Sequence, residues 1–140
     1  MFQLSAIEEE RDVMRAVGDN GEFDLRGTAE EFAELRERLW EFCCDDGAES
    51  FVVDLESGFD PAPYRMVFRS TVFVKSAGKL VIRAEGDELI VTGHREGLLA
   101  FADWLPKEVD EAPYHVHFDG VSLPDLFARE DQGIVFSVYV

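Results

Sequence analysis

Two stretches of the chain share one local grammar, a short strand, a glycine break and an amphipathic helix, and they lie a constant 66 positions apart (93 − 27). Glu22–Leu39 (EFDLRGTAEEFAELRERL) overlays Glu88–Leu105 (ELIVTGHREGLLAFADWL). At this offset Glu22/Glu88, Gly27/Gly93, Glu30/Glu96 and Leu39/Leu105 are identical. Apolar sites pair as Phe23/Leu89, Leu25/Val91, Phe32/Leu98, Ala33/Leu99 and Leu35/Phe101. The offset is close to half of the 140 residues, so the pattern predicts a duplicated strand-strand-helix-strand-strand unit, with pseudo-repeats at approximately 1–70 and 71–140. A chain of this length buries about two-thirds of its unfolded surface around one core, so both copies are expected in a single domain, 1–140.

The first helix is marked at both ends. Thr28 and Glu31 have the spacing of a capping box, in which each side chain satisfies an amide left unpaired by the first turn. Phe32, Leu35, Leu39 and Phe42 form one apolar stripe opposite Glu34, Arg36, Glu37 and Glu41. Asp45-Asp46-Gly47 then supplies turn chemistry. The second helix carries the stripe Leu98, Phe101, Ala102 and Leu105, has Thr92 or His94 as its cap, and ends before Pro106.

Strand patterns cover Phe2–Ile7, Val13–Val17, Phe51–Asp54, Tyr64–Lys75, Lys79–Ala84, Tyr114–Phe118 and Ile134–Val140. The short connections Ser76-Ala77-Gly78 and Glu85-Gly86-Asp87 predict a three-stranded antiparallel meander over Val72–Val91. The expected fold is α+β, a mostly antiparallel sheet with two helices. Leu55–Pro63 and Gly120–Gln132 remain as loops at comparable places in the two halves, where a rigid sheet can hold contact residues.

Thirteen Lys and Arg stand against 30 Asp and Glu, for a net charge of −17 and a pI near 4.3. Such a surface repels nucleic acid and anionic lipid, whose recognition rests on cationic groups. It attracts a basic protein and speeds the encounter. The N-terminal MFQLSAIEEERD has no basic segment followed by a long apolar run, and no stretch reaches the ~20 apolar residues of a membrane helix, so a cytoplasmic protein is expected. The only cysteines, Cys43 and Cys44, are adjacent and cannot staple distant parts of the fold. Helix-end packing is their expected role, and the carboxylates of Asp45 and Asp46 are expected to discourage a thiolate.

Tyr114-His115-Val116-His117-Phe118-Asp119 is the sharpest chemical motif. In a strand, His115, His117 and Asp119 share one face, a set that can ligate a divalent metal and support a metal-dependent enzyme. The structural alternative places Tyr114, Val116 and Phe118 toward the core and leaves the His-Asp row as a partly solvated polar face, with Asp119 entering the turn at Gly120. Walker, GxGxxG, GxSxG, HExxH and EF-hand signatures are absent, so no cofactor is expected and a catalytic role has no other support. A small-ligand-binding or self-assembling domain has no dedicated feature.

Carboxylates interleaved with apolar anchors suit a protein interface better, the anchors supplying energy and the charges supplying rate and selectivity. Glu8-Glu9-Glu10 and Asp45-Asp46 are candidate acidic contacts. The loops and their flanks offer Asp54, Glu56, Phe59, Asp60, Tyr64, Asp110, Glu111, Leu123, Phe127, Glu130 and Asp131. The second half, with GHREGLLAFADWL at Gly93–Leu105, YHVHFD at Tyr114–Asp119 and IVFSVYV at Ile134–Val140, resembles the bacterial polymorphic-toxin immunity proteins grouped as immunity protein thirty-two. The resemblance spans about the last 70 residues of the sequence. It implies a small α+β cytoplasmic protein that binds and neutralises a cognate toxin. Toxins that attack nucleic acid tend to be basic, which fits an acidic inhibitor.

Overall fold

The repeat in the sequence returns as a repeat of hydrogen-bonding register. The structure, a computed structural model, describes residues 14–19, 21–106 and 114–138, which hold nine strands and two helices. Strands β1 (Arg15–Asp19) and β2 (Glu22–Gly27), helix α1 (Ala29–Cys44), and strands β3 (Ser50–Asp54), β4 (Met66–Val67) and β5 (Ser70–Lys75) make the first half. Strands β6 (Val81–Glu85) and β7 (Glu88–Gly93), helix α2 (Arg95–Trp104), and strands β8 (Tyr114–Asp119) and β9 (Gly133–Val138) make the second. The β1–β2 hairpin pairs Arg15 with Arg26 and Asp19 with Glu22; the β6–β7 hairpin pairs Val81 with Thr92 and Glu85 with Glu88, every partner moved by 66. Both helices also begin 66 apart. The expected strand at Phe2–Ile7 lies outside the described residues.

The α+β class holds, in two mostly antiparallel sheets where one sheet was expected. Sheet one has the order β4-β1-β2-β9-β8 and sheet two the order β3-β5-β7-β6. Each joins the opening hairpin of one half to the closing strand pair of the other through a parallel contact, β2 with β9 and β5 with β7. Neither half therefore completes a sheet by itself.

The expected meander over Val72–Val91 is not formed. β5 runs parallel to β7, and β6 lies on the far side of β7. The reason lies in Leu89-Ile90-Val91, which are all buried. An unbroken apolar run needs cover on both faces and neighbours on both sides, a central position that a meander would have given to β6. Ser76 N donates to Gly93 O and His94 N to Gly78 O, so the β5–β6 connection is tied across the end of β7. The single strand expected over Tyr64–Lys75 is likewise divided. Phe68 N donates to Ala16 O of sheet one and Arg69 N to Asp87 O beside sheet two, so the chain changes sheets between these residues.

The helices start as their sequences direct. Thr28 Oγ1 accepts from Glu31 N at 3.1 Å while Glu31 Oε1 accepts from Thr28 N at 2.8 Å. His94, not Thr92, caps α2, its Nδ1 accepting from Gly97 N at 3.3 Å. The apolar stripes Phe32, Leu35, Leu39, Phe42 and Leu98, Phe101, Ala102, Leu105 are buried in the core. Phe101 stands at its centre, 5.3 Å from Phe73 of sheet two and 5.5 and 5.2 Å from Phe118 and Phe136 of sheet one. Cys43 is buried at the end of α1 and Cys44 is exposed, both free. Burial pushes the Cys43 thiol up, and Cys44 adds to this against the opposing pull of Lys75, so desolvation keeps the thiol protonated where neighbouring carboxylates were expected to do so.

Gly27 and Gly93 answer the same steric demand. A Cβ on Gly27 would stand 2.8 Å from Met14 Cε, and one on Gly93 2.8 Å from Leu80 Cδ2 and 3.4 Å from Leu80 Cα. Met14 and Leu80 are themselves 66 apart. Leu80 is pinned by Leu80 N to Leu126 O at 2.8 Å and Ala128 N to Leu80 O at 2.9 Å, whereas Met14 meets Gly27 with a flexible end. Gly93→Ala is therefore expected to lower stability by roughly 1–3 kcal/mol and Gly27→Ala by less, read from urea unfolding midpoints. Equal losses would show that the two wedges are equally yielding.

Thr71 departs from the symmetry. It is 2 % exposed, and its Oγ1 has no hydrogen-bond partner among the described residues. The parallel registers Leu25 with Phe136 and Val91 with Phe73 place β9 a shift of 63 from β5, so its counterpart is Ile134. A buried hydroxyl without a partner costs its desolvation. Thr71→Val, which keeps the shape, is expected to raise the unfolding free energy by roughly 1 kcal/mol. A fall in thermal midpoint would show that the hydroxyl is satisfied.

Candidate functional site

Alternation along the strands of sheet one sends Phe23, Leu25, Phe118, Ile134 and Phe136 toward the helices. Arg15, Arg26, Val135 and His117 face the other way. On that outer face the loop after β3 is fastened through two arginines. Arg15 Nε donates to Glu56 Oε1 at 2.7 Å while its Cζ lies 4.5 Å from the centroid of Phe59. Arg26 Cζ lies 5.7 Å from the Tyr64 ring. Asp60 Oδ1 accepts from Ala62 N at 3.0 Å, closing a turn within the loop. Glu56, Phe59 and Asp60 thus shape the loop, and Tyr64 is set as a wall.

Beside that wall a cleft of about 430 Å³ opens at the end of sheet one. Glu22, Asp119, Glu130 and Asp131 line it with Tyr64 and His117, and among the described residues no lysine or arginine does. Asp131 has its own cation, Arg129 Nη2 at 2.8 Å, and Asp119 Oδ1 accepts from Ser122 N at 2.9 Å. Glu22 and Glu130 are exposed without a bonded partner among the described residues. Burial pushes the Tyr64 phenol up and the nearby Asp24 carboxylate pushes it further, so the hydroxyl remains a donor at neutral pH. Val121, 73 % exposed, adds an apolar rim.

The cleft has a definite local cause. At the matching place beside sheet two, Arg69 Nη1 reaches Asp87 Oδ2 at 3.3 Å. Shifts of 66 and 63 put Gly21 and Gln132 there beside sheet one. Glycine fills nothing, and Gln132 Oε1 turns away to accept from Ile82 N at 3.0 Å. Small Gly21 also adopts the left-handed φ of 91° that the hairpin turn requires.

The acidic residues expected from the sequence are only partly gathered. Tyr64, Glu130 and Asp131 meet in the cleft. Asp54 lies on sheet two, where Asp54, Ser70, Glu88 and Glu85 follow one another across four strands. Phe127, expected at the contact surface, is a core residue: it is 2 % exposed, with its ring 5.0 Å from Phe118. It tucks the second loop against β6 through a bridge to Leu80. Asp110 and Glu111 lie outside the described residues.

His115 and His117 do share the exposed face of β8, with Phe118 buried behind them and ring centroids 5.2 Å apart. Asp119, however, is engaged as the cap of the following turn. Among the described residues no three histidine, cysteine or acidic side chains are grouped so as to hold a metal ion, and the metal-centre expectation gains no support. Sequence inspection missed Asp19, Glu22 and Val121. The first two had a readable signal, because Asn20-Gly21 marks a two-residue hairpin that sets Asp19 opposite Glu22.

Comparison of the chain with family models, curated proteins and solved structures returned no match. No described helix is long and apolar enough to cross a membrane.

Proposed function

We propose that this chain is a non-catalytic acidic binding protein, an immunity protein that covers the substrate surface of a basic toxin domain with the cleft at the end of sheet one. The observation that carries this reading is the placement of like charges. Asp19 sits directly opposite Glu22, and Glu85 directly opposite Glu88. Cross-strand pairs of like charge destabilise a sheet; Arg65, 3.9 Å from Asp19, and Arg83, 2.6 Å from Glu85, offset one carboxylate of each pair, and Glu22 at the cleft is left without a cation among the described residues. A partner's lysines and arginines would relieve that repulsion on binding, which gives the charges a reason to stand there. Tyr64 and Val121 supply contact area, and the net charge of −17 speeds the encounter. In this reading the protein works in the cytoplasm, without nucleic acid, membrane or cofactor.

Association with a basic toxin domain encoded in the neighbouring reading frame is the direct test. The rate constant, measured by stopped flow, is expected to fall about tenfold or more between low salt and roughly 0.5 M salt. A rate indifferent to salt, or a specific partner that is itself acidic, would overturn the proposal.

A further inference from the structure

A strand at the border of a sheet leaves every second N–H and C=O without a ladder partner, and folded chains blunt such borders by brevity, cover or charged and polar side chains. Sheet one ends in β4 and β8, and sheet two in β3 and β6. β4 is two residues long. β6 is covered by the second loop, where Leu126 O and Ala128 N bond Leu80 and Gln132 Oε1 bonds Ile82 N. β8 carries His115 and His117 on its exposed face. β3, Ser-Phe-Val-Val-Asp, uses none of these devices: it has five residues, no lysine or proline, and its one charge stands at the last position.

Register fixes which groups of β3 are open. Lys75 N donates to Glu49 O and Leu55 N to Arg69 O, so Phe51 and Val53 bond β5 while the amides and carbonyls of Ser50, Val52 and Asp54 point outward. Among the described residues no strand lies against them. Val52 is 51 % exposed, and a groove of about 200 Å³ opens between the strand and α1, lined by Glu34, Leu35 and Arg38.

The open positions are complementary to themselves. About a two-fold axis through Val52, a second β3 sets valine against valine and Ser50 against Asp54, a hydroxyl donor facing a carboxylate acceptor at each end. About six backbone hydrogen bonds would close the junction. Glu34 and Arg38 have no ion-pair partner among the described residues, and the same axis turns Glu34 of one copy toward Arg38 of the other. A foreign strand could satisfy the backbone, but a second copy supplies the hydroxyl, the carboxylate and the cation without any further residue.

We propose that β3 docks antiparallel on β3 of a second copy, joining the two copies of sheet two edge to edge. None of residues 50–54 lines the acidic cleft, so the pairing is independent of the immunity role. Each copy carries a charge of −17, so the copies repel and salt tightens the pair, the opposite of its effect on a basic partner. Sedimentation velocity of the full-length chain over roughly 1–200 μM is expected to show the 15.8 kDa species giving way to a dimer, with association several-fold tighter in roughly 0.5 M salt than in low salt. Val52→Lys, at an exposed position, is expected to weaken association about tenfold or more while leaving circular dichroism unchanged. Ser50→Asp sets two carboxylates face to face and is expected to weaken it several-fold; adding Asp54→Ser restores the match and is expected to recover the loss, which fixes the register. A monomer throughout the range would overturn the proposal, and a weakened basic partner in Val52→Lys would then assign the edge to that partner. A dimer that Val52→Lys or Ser50→Asp leaves intact would place the contact elsewhere and overturn it equally.

Discussion

Phe101→Ala is expected to lower the unfolding free energy by about 3–5 kcal/mol, the largest effect of any single truncation in this chain. The phenyl ring is fully buried, and it is where the two sheets meet through one helix: it touches Phe73 on one side and Phe118 and Phe136 on the other. Its removal takes away the transfer energy of an aromatic side chain and leaves a cavity whose walls belong to three separate elements. Those walls are themselves tied into ladders, so they cannot close in cheaply. Urea unfolding followed by circular dichroism and by tryptophan emission should show one transition, shifted by the same amount with both probes. A loss below about 1.5 kcal/mol would mean that the sheets do not depend on a shared core.

Reversing charge at Glu22 and Glu130 should separate folding from binding. Neither side chain has a bonded partner among the described residues, so neither reversal breaks an internal contact. Lysine at position 22 would face Asp19 across the hairpin as an opposite charge in place of a like one. Stability should therefore hold or rise by roughly 0.2–1 kcal/mol. Affinity for a basic partner should fall by about tenfold or more, mostly in the association rate. Opposite signs in the two measurements are the signature. A double variant that binds as tightly as the parent would remove the cleft from the interface.

The parts of this fold that sequence exposed most directly are those governed by neighbours a few residues apart. Thr28 with Glu31, the stripe from Phe32 to Phe42, and the 66-residue offset all depend on local spacing, and each reappears in the fold. What stayed hidden depends on which distant strand sits alongside. Nothing between Val72 and Val91 says that β5 passes over β6 to lie beside β7, apart from the unbroken Leu89-Ile90-Val91 run that asks for a central place. Phe127 reads as a loop aromatic because its neighbours are polar, yet Leu80 and Phe118, 47 and 9 positions earlier, claim it for the core. The cleft was half legible. Glu130, Asp131 and Tyr64 were visible as candidates, but Glu22 joins them only because β9 is laid against β2.

That last pairing also orders events in time. Sheet one brings residue 24 beside residue 135, so the β1–β2 hairpin emerges from a ribosome with its inner edge bare and keeps it bare until residue 135 has followed. Contacts across so long a span form late and slowly. A nascent chain arrested halfway would carry the carboxylates of Glu22 and Asp19 without Glu130 and Asp131, which complete the pocket. The acidic cleft thus exists only once residues 130–135 have been laid beside the hairpin, and a chain arrested before them would lack it.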